Sequence, residues 1–241
     1  MSDFSIEMPL LVLAGLGIGT TLNGLAARLP LWLARAWGVP PEAVFVSAGS
    51  ATSSRRWREL VVLSLLALVT NWLIFRLGLT PRAVAAISFC AVLIVLALVD
   101  LDTRMLPDIV TIPLLLLGLC CNLQEVFTTM ESAMIGAVAG WLALMVAHWV
   151  SLSLGRGEGM GQGDAKMLAA IGAWVGWQMM CDALLSACIA ACVVAAALRV
   201  ARPSSRGETV PFGAFLAMGG IAVILFWPFE LADMSGWRSL L

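Results

Sequence analysis

GRGEGMGQGDAKMLAAIGAWVG, residues 155–176, is the one place in this chain where a glycine-dense, charged loop runs straight into an apolar helix. Gly155, Gly157, Gly159, Gly161 and Gly163 alternate with other residues, and Asp164 and Lys166 then open the helical run. Such a loop lets the backbone take positive φ and lie close to another part of the chain. It also sets Asp164 beside the positive end of a helix, where a carboxylate is favoured.

The rest of the chain decides what surrounds that loop. Of 241 residues, 61% are hydrophobic and only 12% charged, and the apolar residues come in long blocks. Several blocks approach or exceed the roughly 18–20 residues needed to cross a hydrocarbon core. The expectation is an all-α, polytopic membrane protein without a separate soluble domain. Eight spans can be drawn, near 9–27, 60–79, 83–100, 109–126, 133–154, 166–181, 183–199 and 210–229. The sixth is short and is interrupted by Gly172 and Gly176, which suits entry into a polar cavity. A net charge of −1, with no basic stripe, argues against a nucleic-acid partner.

Arginine and lysine orient the spans. With both termini outside the cytoplasm, eleven of the 14 basic residues fall on the cytoplasmic side and only Arg76, Arg82 and Arg238 outside. Residues 28–59 then form the largest cytoplasmic loop, with Pro40-Pro41 and a Ser/Gly/Ala stretch before Arg55. The first apolar run lacks a basic segment ahead of it and reads as a retained anchor. Cys90, Cys120, Cys121, Cys181, Cys188 and Cys192 all fall in apolar segments without a C-x-x-C pair, so they read as packing residues and no metal site is expected.

An ionisable residue at membrane depth costs about 2.5–3.5 kcal/mol on insertion scales and is by default a functional candidate. Two positions stand out. Asp100 ends ten apolar residues in ALVDLDTRMLPDIVTIP, residues 97–113. Asp164 is the second, and the topology puts both at the same membrane face. Asp102, two positions on, should face water. Asp108 suits the N-cap of the next span, with Thr111 three residues on. Two carboxylates brought together at low dielectric share a proton, so one can serve as general base for a water and the other as general acid. His148, the only histidine, lies inside an apolar span and reads as a packing residue.

Four segments together resemble a known family. LVDLDTRMLPDIVTIPLLLLGL (98–119) and MGQGDAKMLAAIGAWVGW (160–177) resemble the two active-site segments of bacterial type IV prepilin peptidases, membrane aspartyl proteases with a G-x-G-D motif. GIGTTLNGLAARLP (17–30) and PFGAFLAMGG (211–220) resemble that family's first-span and last-span patterns. The resemblance implies one integral-membrane peptidase domain over 1–241, with its catalytic core in 83–181 and Asp100 and Asp164 as the catalytic pair. Gly161 and Gly163 would shape the loop holding Asp164, and bulkier residues there should distort it. Lys166, two residues after Asp164, reads either as a snorkelling side chain at a helix start or as a group that orients the acid or the substrate, and Asp108 and Pro107 would be substrate-binding or site-shaping positions.

The implied activity is removal of a short basic leader from prepilins or type II secretion pseudopilins at the cytoplasmic face of the bacterial inner membrane. N-methylation of the new terminus, with S-adenosylmethionine, is the family's second implied activity. Many members carry zinc-binding cysteines in the first cytoplasmic loop. Residues 28–59 contain none, which removes the metal and separates methylation from proteolysis as an expectation. Two other classes stay open on the residues alone. One is a proton- or cation-coupled transporter that titrates buried aspartates; the other is an inert scaffold of a secretion machine.

Overall fold

A computed structural model describes residues 52–155, 161–201 and 211–226. The described residues form six helices and no strand: α1 (Thr52–Leu77), α2 (Pro81–Thr103), α3 (Asp108–Asn122), α4 (Met130–Ser153), α5 (Gln162–Ala201) and α6 (Phe212–Phe226). Three of them, α2, α4 and α5, are long and apolar enough to cross a membrane. The expected span at 9–27, the loop over 28–51 and the segment GIGTTLNGLAARLP lie outside the described residues. Residues 52–59, expected as part of that loop, are helical and extend α1 toward its N-terminus.

Local chemistry sets the helix ends. α1 stops at Gly78, whose φ of 64° is costly for a residue with a Cβ. Thr80 then caps α2 by accepting a hydrogen bond from the Ala83 N–H, with Pro81 in the first helical turn. Thr129 caps α4 in the same way through the Ser132 N–H. At the far end of α6 the orphan carbonyl of Leu225 accepts from Trp72 Nε1 and Arg76 Nη1 of α1, at 3.1 and 3.0 Å.

The first half of α5 is the axis of the bundle. From Asp164 to Gly176 every residue except Lys166 is buried, with α3, α4 and α6 packed around it. Backbone contact makes this possible on the α4 side. A Cβ on Gly136 would stand 2.6 Å from the Gly172 carbonyl oxygen, and one on Gly140 would stand 2.9 Å from that of Leu168. Gly136-x-x-x-Gly140 is therefore a small-residue stripe that lets α4 lie directly on α5. On the α3 side Trp174 fills the gap. It sits over Gly118, donates from Nε1 to the Leu114 carbonyl at 2.8 Å, and stacks on Phe89 at 4.8 Å.

The interruption in α5 falls at Gly176 alone, where φ is 81° and ψ 172°. Gly172 is helical, and no break occurs at the expected 181/183 boundary. The cause is a polar clasp that the apolar pattern hides. Asn122, at the last residue of α3 and fully buried, donates from Nδ2 to the carbonyls of Ala173 and Trp174, at 2.8 and 2.9 Å. Its Oδ1 accepts from the N–H groups of Phe127 and Thr128. One side chain thus satisfies the backbone groups freed by the α5 break and by the turn after α3, which apolar surroundings could not.

The cysteines divide. Cys90 is buried in the core and Cys121 is half-buried, whereas Cys120, Cys181, Cys188 and Cys192, also expected as packing residues, are exposed among the described residues. An apolar outer face is what a bilayer favours, so hydrophobicity alone does not separate its inside from its outside.

Candidate active site

Asp100 occupies the last turn of α2 and is only 4% exposed. The chain then turns sharply. Arg104 adopts the left-handed conformation at φ 53° and donates its N–H to the Asp100 carbonyl at 2.8 Å, which closes the helix. Thr103, buried, ties the turn by donating to the Val99 carbonyl and accepting from the Met105 N–H. Leu106 and Pro107 follow, extended backbone at Pro107 leads into α3, and Arg104 stays within electrostatic reach of the Asp100 carboxylate.

The Asp100 carboxylate reaches across to α6. Its Oδ2 accepts the Ala214 N–H at 3.0 Å, although 114 residues separate the two. Ala214 belongs to the first turn of α6, whose amides have no partner within the helix. An acid side chain there meets both the orphan donor and the positive end of the helix dipole. Gly213 makes the approach possible, because a Cβ at that position would lie 2.8 Å from Asp100 Oδ2.

Asp164, 8% exposed, sits in the first turn of α5, and its N–H donates to the Gly161 carbonyl at 3.2 Å. Its carboxylate lies within electrostatic reach of Asp100. Leu106 is the spacer between the two segments. A Cβ on Gly163 would stand 2.9 Å from Leu106 Cβ, and one on Gly213 would stand 3.0 Å from Leu106 Cδ1. The turn after α2, the start of α5 and the start of α6 therefore meet at one leucine.

The other residues singled out in the sequence are placed as follows. Pro107 is buried and holds the N-cap position of α3 without a side-chain cap. Asp108 is therefore the first helical residue and not the cap. Its carboxylate instead pairs with Lys166 Nζ at 2.6 Å. Thr111 turns its hydroxyl back to the Pro107 carbonyl. Asp102 is half-buried, not turned fully to water, and His148 is half-buried in α4. Gly161 has room among the described residues, since a Cβ there would meet Asp164 Oδ2 at 3.7 Å, an ordinary contact. Among the described residues a Cβ would collide with Leu106 at Gly163, whereas at Gly161 a methyl meets only ordinary contacts. Gly157 and Gly159 lie outside the described residues.

The residues that sequence reasoning missed are Gly213, Ala214 and Leu106. In the structure PFGAFLAMGG presents an amide and a bare Cα to Asp100. An almost wholly apolar groove of about 600 Å³ opens beside Lys166, lined by Thr111, Ile112, Leu115, Trp141 and Ala169 among others; neither carboxylate lines it. Among the described residues no three His, Cys, Asp or Glu side chains cluster to hold a metal ion.

Comparison with known proteins bears on what such a site is for. Residues 87–196 match the model of the type IV leader peptidase family. A protein of Burkholderia pseudomallei (strain 1026b) named prepilin leader peptidase/N-methyltransferase is 32% identical, covering 94% of this chain and 88% of its own length. A Pseudomonas putida protein of the same name is 31% identical over 88% of each chain. An Aeromonas hydrophila protein, again so named, is 40% identical over 142 residues, 59% of this chain and 49% of its own. The Burkholderia alignment runs over 273 positions against 241 residues here, so that relative has residues without a counterpart in this chain. No solved structure gives a significant match.

Proposed function

The chain belongs to the type IV leader peptidase family, and from that premise we propose that it is a membrane aspartyl endopeptidase removing the short basic leader of type IV prepilins or type II secretion pseudopilins. Asp100 and Asp164 are the catalytic pair in this reading. The observation that carries it is their convergence: two buried carboxylates, 64 positions apart in sequence, come within electrostatic reach of each other, and the segments that bear them pack together through Leu106 and Gly163.

The chemistry follows from that pairing. One carboxylate takes a proton from a water as its oxygen adds to the scissile carbonyl carbon, and the protonated partner gives its proton to the carbonyl oxygen. Collapse of the resulting diol breaks the C–N bond, with a proton passed to the leaving amine. Asp100 is held for this by the Ala214 N–H, so its orientation is set before substrate arrives. Gly213 keeps the approach to Asp100 clear of a side chain, and Gly163 leaves room for Leu106.

The membrane frame proposed is eight spans with both termini outside the cytoplasm, in the bacterial inner membrane, with the acids at the cytoplasmic face. Asp100 at the C-terminal end of α2 and Asp164 at the N-terminal end of α5 support a common face. One domain, 1–241, carries the activity, with 83–181 as its core. No metal is proposed. The relatives' printed name adds N-methyl transfer, which would draw on S-adenosylmethionine. No step is derived through it. The relatives are named as peptidases, which leaves the transporter alternative without support.

Co-expression with a candidate prepilin tests the proposal. Mass spectrometry of the substrate should show a new N-terminus at the leader boundary, and a full-length substrate would count against it. The same spectrum reads methylation.

A further inference from the structure

The acids are held by more than the loop and the turn they sit on. Asp108 and Lys166, 58 residues apart, pair at 2.6 Å between the first turn of α3 and the early part of α5. Asp108 comes eight residues after Asp100, and Lys166 two after Asp164. The pair therefore closes a ring of chain: from Asp100 through the turn to Asp108, across to Lys166, and back to Asp164.

Resting on the peptidase reading, we propose that Asp108 and Lys166 are a positioning pair that sets the spacing of the catalytic carboxylates without touching the reacting atoms. Three features carry this. Residues two apart on a helix do not share a face, so Lys166 is directed away from Asp164 and acts through Asp108. A cation this near the positive end of a helix gains nothing from the dipole, whereas Asp108 in the first turn of α3 does, so Lys166 is placed by its partner and not by its own helix. Leu106, two residues before Asp108, packs against both Gly163, the neighbour of Asp164, and Gly213, whose missing Cβ admits the Asp100 carboxylate, so the ion pair clamps the far end of a segment that touches the surroundings of both acids. With side chains 35% and 52% exposed, the pair adds little to stability. Its effect belongs in rate.

The test uses the full chain purified in detergent with a prepilin substrate, comparing Lys166→Met, Asp108→Asn and the double variant. Each single substitution should lower kcat by about tenfold or more with KM within about twofold, since a slight misplacement of the acids is paid in rate. The double variant should lose no more than the worse single, because each residue works only through the other. Lys166→Arg should keep most of the rate. Thermal midpoints should stay within about 2 °C of the parent. Should Lys166→Met fail to accumulate, Asp108→Asn at the exposed end of the pair decides by the same criteria. Unchanged kcat in the singles, a loss confined to KM, or losses that multiply in the double would each overturn the inference. If Asp164→Asn is inactive while these variants are not, only this inference falls; if Asp164→Asn cleaves too, the peptidase reading falls with it.

Discussion

Gly213→Ala is the smallest change that reaches the site without touching either acid. The new methyl carbon would stand 2.8 Å from Asp100 Oδ2, 2.9 Å from its Cγ and 3.0 Å from Leu106 Cδ1, whereas ordinary contact begins at 3.4 Å. The Asp100 carboxylate must therefore yield by roughly half an ångström, and its 3.0 Å bond from the Ala214 N–H is strained with it. A misplacement of about 1 Å costs on the order of 100-fold in rate, so half that distance predicts about a tenfold fall in kcat, or about 1.4 kcal/mol of barrier. Helix propensity works the other way. Alanine is favoured over glycine by up to about 1 kcal/mol inside a helix, so α6 itself is not weakened. The signature is a slower enzyme with an undiminished thermal midpoint, read by timed cleavage of a purified prepilin at saturating substrate. Cleavage at the parental rate by a folded Gly213→Ala enzyme would refute the placement of Asp100 against α6.

Two further substitutions separate the roles of neighbouring residues. Gly163→Ala sets a methyl 2.9 Å from Leu106 Cβ, while Gly161→Ala meets its nearest described atom at 3.7 Å, so the first should slow cleavage several-fold more than the second in the same assay. Asn122→Ala strands two carbonyls and two N–H groups in apolar surroundings far from the acids. It should lower unfolding stability by roughly 3–5 kcal/mol, seen as a large drop in thermal midpoint or in membrane accumulation.

The two acid-bearing segments were legible because each breaks its surroundings: Asp100 ends ten apolar residues, and Asp164 follows alternating glycines. Helices α2, α3, α4 and α6 fall within a few residues of their hydropathy blocks for the same reason. What stayed hidden depends on contacts between distant segments. The break in α5 is set at Gly176 by Asn122, 54 positions earlier, whereas hydropathy sees only a continuous apolar run and divides it by length. Asp108 looks like a cap because it precedes a helix, yet Pro107 takes that position and leaves the carboxylate to Lys166. Gly136 and Gly140 do carry a readable signal, the four-residue spacing of small residues, though it is diluted among 22 glycines. Gly213 carried none beyond its motif, since its use appears only once α6 is laid against the end of α2.

The most direct measurement is the N-terminus of a prepilin produced alongside Asp100→Asn or Asp164→Asn, each variant first shown to accumulate in the membrane and to melt like the parent. Both amides keep the shape of the acid and remove its ability to take a proton, so the substrate should retain its leader in full. A processed N-terminus with either folded variant would contradict the two-carboxylate site outright.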